Sequence, residues 1–332
     1  MNEHFVSRLA PVIAQYLALK QALGRRYNTE RTVLASLDRF LAEEHHQYHD
    51  LTPQAFPAWC QLQEKVAPGV RRDRMRIVRN FCLYRRRFEP HCFVPDMASF
   101  PLSHQAVRPY IFSESEVARL LDLCLGLPRG RYSPLRPELY RLIIVLLFTT
   151  GVRRRELLKF TIGDYNASEG TLLVRSSKFH KSRLLPLPKD VCREVDRYLE
   201  RCRAHRLPTA PETPFLWNRF HGGHTYTPQS LRFGLNYLLR RARIFTHKNR
   251  LPRIHDFRHS FAVNALLRWY RAGVDVQAKL PFLSAYMGHV SIVSTYYYLH
   301  FVEPLASLAS ARFAQSYGAL VHPHSNRKGT LS

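Results

Sequence analysis

Patterns that bind metals or form redox pairs are missing from this sequence. Its six cysteines are scattered without a Cys-x-x-Cys spacing, and its 17 histidines form neither a His-Glu-x-x-His motif nor a cluster with cysteine. Because zinc sites need closely spaced ligands of these types, we expect no metal site and no cofactor. Scattered thiols are typical of reduced cysteines in a cytosolic protein.

Long apolar segments and a secretion signal are also missing. The first residues show no charged region followed by an apolar one, and the longest apolar run, residues 142–148, is too short to cross a bilayer. Neither end carries a long basic amphipathic segment of the kind that lies on membranes. We therefore expect a soluble, cytoplasmic protein without a membrane partner.

Acidic residues are scarce. The chain has 50 lysines and arginines against 25 aspartates and glutamates, which gives a formal net charge of +25. This excess indicates an anionic partner, and double-stranded DNA is the leading candidate. Arginine outnumbers lysine, and its planar guanidinium suits bidentate contact with phosphate. The few carboxylates are scattered, which argues against a nuclease or transposase that holds metal ions with clustered acids.

Residues 1–89 are expected to form a helical DNA-binding domain, because apolar residues recur there at the spacing of four helices. The fourth predicted helix, from Val70 to about Phe88, has one apolar face and is crowded elsewhere with arginines that only Asp73 offsets. A solvated helix face usually mixes both signs of charge, so we interpret this surface as one that contacts the DNA backbone. Its candidate DNA-binding residues are Arg71, Arg72, Arg74, Arg76 and Arg79.

Residues 90–112 contain four prolines and no clear period, which predicts a linker between two domains. The second domain is expected to span residues 113–320, and the polar residues 321–332 to form a disordered tail. Within the second domain, helical patterns surround two short β-type runs that predict a hairpin around residues 176–182. The predicted fold class is therefore mainly α with a small antiparallel β-sheet.

Two motifs in the second domain combine basic residues with turns. Gly151-Val-Arg153-Arg-Arg-Glu156-Leu places an arginine at the start of a helix, where backbone donors and the helix dipole also favour an anion. Lys178 and Lys181 lie in or near the turn of the predicted hairpin. Taken singly, an arginine-rich helix start and a turn lysine are usually solvated surface features.

Two further motifs follow along the chain. In His255-Asp-Phe-Arg258-His, the histidine and the arginine three residues later share one face of a helix. Gly288-His289 then places a histidine at a turn, ahead of Tyr298, which ends a run of tyrosines on a predicted helix. An exposed phenol on a helix can attack a phosphodiester if cations hold the phosphate, and the basic motifs supply such cations.

In this order, the four motifs resemble those of the tyrosine recombinase, or phage integrase, family. The first two are similar to its Thr-Gly-Leu-Arg-x-x-Glu-Leu and Lys-Gly-x-Lys-x-Arg-x-Val-Pro-Leu, and the others to its His-x-Leu-Arg-His and Leu-Gly-His followed by Tyr-x-His. The resemblance covers roughly residues 113–300, and Phe179 departs from it where the family has glycine. It implies a SAM-like helical core-binding domain followed by a tyrosine-recombinase catalytic domain. The catalytic residues that it implies are Arg153, Lys178, His255, Arg258, His289 and Tyr298.

The resemblance also implies a role for each residue. Arg153 and Arg258 would stabilise the charge of the attacked phosphate, and His289 would donate to a non-bridging oxygen. His255 would accept the proton of the tyrosine, and Lys178 would protonate the leaving 5′ oxygen. The product of the attack is a 3′-phosphotyrosyl link, which needs no metal, ATP or other cofactor.

Three consecutive tyrosines, Tyr296, Tyr297 and Tyr298, are candidates for the nucleophile. Successive residues on a helix point about 100° apart, so only one of the three can face the phosphate. The interval from His289 and the following Leu-His, which match the family pattern, single out Tyr298, with Tyr297 as the fallback.

The sequence thus predicts a site-specific tyrosine recombinase that serves the integration, excision or transposition of a mobile element. We expect it to act on the nucleoid as a homotetramer on DNA, beside sister recombinases. For a helix after Pro304 two placements stay open: packing on its own domain, or docking on a neighbouring subunit, as the resemblance implies. Three alternatives stay open: resolution of chromosome or plasmid multimers, relaxation of supercoils in the manner of a type IB topoisomerase, and DNA binding without catalysis.

Overall fold

The computed structural model describes residues 5–43, 48–102, 108–175, 182–219 and 222–289, together with Ser291, Thr295 and Tyr298. The chain divides into two compact units, Met1–Val107 and Arg108–Ser332. The predicted boundaries at residues 89 and 113 differ from this division, since the two ends of the predicted linker carry core residues. Phe100 is buried in the core of the first unit, and Phe112 in that of the second.

Among the described residues of the first unit there are four α-helices, as the apolar spacing predicts. Their apolar faces meet in one core around Trp59, Leu34 and Phe81, each of which is almost fully buried. Proline begins the last of these helices, where its missing N–H costs no hydrogen bond. The helices are α1 (Ala10–Ala22), α2 (Asn28–Ala42), α3 (Ala55–Gln61) and α4 (Pro68–Arg85).

The second unit is mainly helical and contains a three-stranded antiparallel sheet, which confirms the predicted fold class. Its first elements are α5 (Glu114–Leu125), α6 (Arg136–Thr150), α7 (Arg154–Leu157), β1 (Tyr165–Asn166), β2 (Thr171–Val174) and β3 (Arg183–Pro186). They are followed by α8 (Lys189–Ala204), α9 (Pro228–Arg241), α10 (Ile254–Arg271) and α11 (Val276–Met287). In the described part of the chain, no helix is long and apolar enough to cross a membrane.

Helix α6 lies at the centre of the second unit. Its residues 142–147 are apolar and buried on all sides, and Ile143, Ile144 and Leu146 are completely buried. This part of the helix has no solvent face, and the helix packs against α5, α8 and α10. It ends at Gly151, whose left-handed backbone (φ 61°) terminates the helix. The short connection from Gly151 to Arg153, just ahead of α7, therefore starts from a fixed position at the end of the buried helix.

The sheet covers one side of this core. Strand β2 pairs with β3 so that Val174 lies opposite Arg183, and the two strands flank residues 176–181, which lie outside the described residues. Leu172 and Leu185 point into the core, as expected from the alternation of side chains along a strand. The two strands of the predicted hairpin are present, and β1 adds a short edge strand that the sequence pattern did not predict.

Residues around α10 connect it to the beginning of the second unit. The ring of Phe112 stacks on Phe257, with ring centroids 4.2 Å apart. The hydroxyl of Ser260 accepts from the backbone N–H of Phe112 and donates to the carbonyl of Asp256. These contacts fix α10, which carries the His-x-x-Arg motif.

Gly234 on α9 provides a test of the packing between α9 and α6. A Cβ at this position would lie 1.8 Å from the hydroxyl of Tyr140, which is itself buried on α6. We therefore expect Gly234→Ala to lower the free energy of unfolding by about 1–3 kcal/mol through overpacking, despite the better helix propensity of alanine. Urea unfolding followed by circular dichroism measures this change.

Gly126→Ala is the matched control. A Cβ there would meet only the carbonyl of Leu123 at 3.8 Å, so the free energy of unfolding should stay within about 0.5 kcal/mol of wild type. A Gly234→Ala variant as stable as wild type would contradict the packing described for α6 and α9.

Candidate active site

Arg258 on α10 lies at the centre of the candidate site. Its side chain is 2% exposed and donates from Nη1 to the carbonyl of Gly151 at 2.6 Å and from Nη2 to the carbonyl of Met287 at 2.7 Å. Both carbonyls lie at helix ends, where carbonyls have no partner within the helix. One guanidinium thus joins the C-terminal ends of α6 and α11. Burial and the charge of Arg153 lower the pKa of Arg258 to about 10, so it stays protonated at neutral pH.

Arg153 reaches the same place from the start of α7. Its Nη2 donates to the carbonyl of Gly288 at 2.8 Å, next to the carbonyl of Met287 that Arg258 uses. Its Nη1 donates to Glu156 Oε1, also at 2.8 Å, and its backbone N–H to the other carboxylate oxygen. Two like charges are therefore held close together by neighbouring carbonyls of one turn.

Glu156 is the carboxylate that balances these charges. It is 7% exposed and also accepts from Arg183, with Nη1 and Nη2 at 3.1 and 2.9 Å from its two oxygens. Burial by itself would raise the pKa of Glu156, but hydrogen bonds from Arg183 and Arg153 lower it to about 2. The carboxylate is thus ionised at neutral pH and fixes the orientation of both arginines.

Two histidines, His259 and His289, flank the ring of Tyr298, and a third, His255, packs against His259. His255 packs edge-on against His259, with centroids 4.7 Å apart, and His259 lies 5.5 Å from the tyrosine ring. On the other side, the ring of His289 lies nearly parallel to that of Tyr298 at 6.1 Å. His289 Nδ1 forms a hydrogen bond of 2.8 Å with the hydroxyl of Thr295, which fixes the plane of the imidazole.

These histidines are neutral at physiological pH. Desolvation and the charge of Arg258 lower the pKa of both His255 and His289 to about 4. Desolvation and the neighbouring His255 lower the pKa of His259 to about 4. A neutral imidazole can accept a proton, so each histidine suits the role of a base or of a hydrogen-bond partner.

Tyr298 is 3% exposed and packs with apolar residues of α10 and α11. The sequence led us to expect an exposed phenol, and this expectation is wrong for the structure described here. The physical reason is that the aromatic ring is large and apolar, and it packs in the same buried cluster as Met287. Tyr298 also interacts electrostatically with Arg258.

The structure brings together five of the six residues predicted to be catalytic, all within the second unit. They are Arg153, His255, Arg258, His289 and Tyr298. The sixth, Lys178, lies outside the described residues, as do Tyr296 and Tyr297. Each of these roles remains a prediction.

Glu156 and Arg183 were not among the predicted site residues, although both lie within the quoted motifs. Their contact joins α7 to β3 across 27 residues of sequence. The available signal was the lone carboxylate in a basic motif, which indicates an arginine partner for Glu156 but not which arginine.

A basic cleft of about 520 Å³ adjoins the site. His255 lines it with an exposed edge, and Leu251 and Pro252 contribute apolar surface. Its charged lining residues are Arg153, Arg154, Arg155, Arg232 and Arg253. Such a concentration of guanidiniums attracts a polyanion such as a nucleic-acid backbone.

The predicted DNA-binding arginines lie on α4 in the first unit. Arg71 lies beside a groove, and Arg79 has its Nε buried without a hydrogen-bond partner among the described residues. The other three donate within the first unit, Arg72 to the carbonyl of Pro101, Arg74 to Gln63 and Arg76 to Asp73. These local contacts leave their role in DNA binding a prediction.

Comparison with known proteins agrees with this arrangement. The model of the phage integrase family matches residues 111–303. The chain is 31% identical to the putative integrase/recombinase y4rB of Sinorhizobium fredii (strain NBRC 101917 / NGR234), over 89% of this chain and 93% of that protein. It is 28% identical to y4rE of the same strain, over 95% of this chain and 99% of that protein.

Among solved structures, the integrase of transposon Tn1549 in complex with transposon right end DNA has a similar fold. The TM-score is 0.61 at 17% sequence identity, with 91% of this chain and 98% of that chain covered. At this identity the likeness concerns the fold alone.

The histidines make the stability of the second unit dependent on pH. Because the pKa of His259 is lower in the folded chain than the usual value of about 6.5, the unfolded chain binds more protons between about pH 6.5 and 4. We therefore expect the free energy of unfolding to fall as the pH falls through this range. Urea unfolding at about pH 7 and about pH 5 measures the difference.

His259→Gln should reduce this difference, whereas His247→Gln, which replaces an exposed histidine of the loop after α9, serves as the control. An equal pH dependence in wild type and His259→Gln would contradict the environment described for this ring.

Proposed function

The chain belongs to the phage integrase family, and from this premise we propose that it cleaves and rejoins DNA strands as a site-specific tyrosine recombinase. One observation carries the proposal: the guanidiniums of Arg153 and Arg258 are held by the adjacent carbonyls of Gly288 and Met287, and Met287 belongs to the same buried cluster as Tyr298. Two fixed cations next to a phenol fit a phosphodiester that is attacked by the phenol oxygen.

The arginines bind the phosphate and stabilise its transition state. Guanidiniums stay protonated, and their paired donors match two non-bridging oxygens. They supply the charge stabilisation that metal ions supply in other phosphoryl-transfer enzymes. His289, whose ring plane is fixed by Thr295, donates to a non-bridging oxygen.

The reaction exchanges one phosphoester bond for another. The Tyr298 oxygen forms a bond to phosphorus while the bond to the 5′ oxygen breaks, which leaves a 3′-phosphotyrosyl link. The phenol, with an ordinary pKa of about 10, needs a base, and neutral His255 accepts its proton. Lys178 protonates the departing 5′ oxygen. Attack by a 5′ hydroxyl of another strand reverses these steps and rejoins the DNA.

His259 lies in contact with both the base and the nucleophile. Its ring touches His255 on one side and Tyr298 on the other. We propose that it keeps the phenol aligned with His255 while Tyr298 is still packed in the core. Release of the ring from this cluster then accompanies the binding of DNA.

The biological role that we propose is integration, excision or transposition of a mobile element. The similarity to two putative integrase/recombinases of one bacterial strain supports this role and also supports action beside sister recombinases. We propose that the protein assembles on double-stranded DNA as a homotetramer in the cytoplasm, on the nucleoid. Resolution of chromosome or plasmid multimers is the second candidate; the chain is also 29% identical, over 57% of its length, to the tyrosine recombinase XerA of Pyrococcus furiosus (strain ATCC 43587 / DSM 3638 / JCM 8422 / Vc1).

A nicked duplex built from the DNA that flanks the gene tests the chemistry. The nick releases a short strand after cleavage, so a covalent protein–DNA adduct accumulates. We expect an adduct with wild type and none with Tyr298→Phe, which should still bind the duplex because it keeps the basic cleft. Denaturing gel electrophoresis detects the adduct, and a mobility shift detects binding.

Tyr296→Phe and Tyr297→Phe are the matched controls and should form the adduct. Loss of the adduct in Tyr297→Phe, with retention in Tyr298→Phe, would move the nucleophile to Tyr297. Binding of wild type without an adduct would contradict the enzymatic function. Relaxation of any plasmid without recombinant product would favour a topoisomerase.

A further inference from the structure

Arg183, the first residue of β3, reaches into the site from the base of the hairpin. Its Nε donates to the carbonyl of Tyr286 at 2.8 Å, and its two terminal nitrogens donate to the carboxylate of Glu156. The side chain is 12% exposed. One guanidinium therefore joins three elements: β3, α7 and the end of α11.

The turn after α11 is built around this guanidinium. Gly288 has a left-handed backbone (φ 66°), and a Cβ there would lie 2.8 Å from Nη1 of Arg183. The carbonyls of Met287 and Gly288 hold Arg258 and Arg153 respectively. Arg183 thus supports, from behind, the same turn whose carbonyls hold the two phosphate-binding guanidiniums.

Arg183 also determines how Glu156 meets Arg153. The carboxylate receives both terminal nitrogens of Arg183, and only one terminal nitrogen of Arg153 together with its backbone N–H. Without Arg183, the carboxylate would be free to rotate and pair fully with Arg153. The second terminal nitrogen of Arg153 would then leave the carbonyl of Gly288.

We propose that Arg183 is a positioning residue, which holds Glu156 and the turn at Gly288 so that Arg153 is oriented toward the scissile phosphate. This inference rests on the proposed function, because it concerns the same reaction. It assigns to Arg183 no contact with DNA, and its effect passes through Arg153.

Arg183 could also act through Lys178 instead of Arg153, and the experiment must distinguish these two routes. Arg183 lies opposite Val174, at the end of the sheet next to the segment that contains Lys178. If Arg183 acted through that segment, its loss would affect the protonation of the leaving group by Lys178. Stabilisation of the phosphate charge and protonation of the leaving oxygen respond to different chemical changes at the scissile phosphate. Modified substrates therefore distinguish the two routes.

The test uses a nicked duplex centred on the cleavage position that wild type itself selects. Three versions differ at the scissile position: a phosphodiester, an uncharged methylphosphonate, and a 5′-bridging phosphorothiolate whose leaving thiolate needs no proton. The rate of adduct formation is measured for wild type, Arg183→Met, Arg153→Ala and Lys178→Ala.

On the phosphodiester we expect Arg183→Met to be slower than wild type by about 100-fold, the size of effect that small misplacements produce. On the methylphosphonate this deficit should shrink at least about 10-fold, as for Arg153→Ala, because less charge needs stabilisation. On the phosphorothiolate the deficit of Arg183→Met should persist, whereas the rate of adduct formation by Lys178→Ala should return toward that of wild type.

Arg141→Met is the control for the loss of a half-buried arginine–glutamate ion pair elsewhere in the second unit. Arg141 donates from Nε and Nη2 to Glu194 at 3.0 and 2.8 Å, away from the site but in the same unit. Its rates should equal those of wild type on all three substrates. If Arg183→Met does not fold, Arg183→Lys, which keeps the charge but not the three-way bonding, should show a smaller deficit with the same substrate pattern.

Several results would overturn the inference. They are a wild-type rate for Arg183→Met, an equal deficit on all three substrates, or recovery on the phosphorothiolate, which would place its action at Lys178. The proposed function fails separately, if wild type forms no adduct or if Arg153→Ala gains nothing on the methylphosphonate.

Discussion

The arrangement of the second unit depends on two guanidiniums held close together, that of Arg258 buried and that of Arg153 half-buried. Burial and mutual repulsion disfavour such a pair, and they lower the pKa of Arg258. The carbonyls of Gly151, Met287 and Gly288 offset this cost, because they are acceptors that helix ends leave available. The site is therefore built for an anion before the anion arrives, which is the condition for electrostatic catalysis.

The need for carbonyl acceptors around the buried Arg258 also explains why α10 meets the C-terminal ends of α6 and α11. Each of two helices ends at a glycine with a left-handed backbone, at Gly151 and Gly288, and Arg258 bridges the two ends. A single buried carboxylate, Glu156, balances part of the remaining positive charge. The histidines beside Tyr298 stay neutral next to these cations, so they leave the net positive charge for the phosphate to neutralise.

Local features of the fold could be predicted from the sequence, because short-range physics determines them. The helix of α5 begins with the capping box of Ser113 and Glu116, and the strands around residues 176–181 follow from their β-type composition. The Glu156–Arg183 pair could not be predicted, since 50 basic residues offer many equivalent partners for one carboxylate. The burial of Tyr298 could not be predicted either, because it depends on a cluster assembled from two other helices.

The central claim is that Tyr298 forms the covalent bond to DNA at the phosphate held by the two arginines. Mass spectrometry of the protease-digested wild-type adduct tests it most directly, because it identifies both the modified residue and the DNA end attached to it. The account predicts a peptide in which Tyr298 carries the 3′ phosphate of the cleaved strand. A nucleotide on any other residue, or a link to a 5′ phosphate, would contradict it.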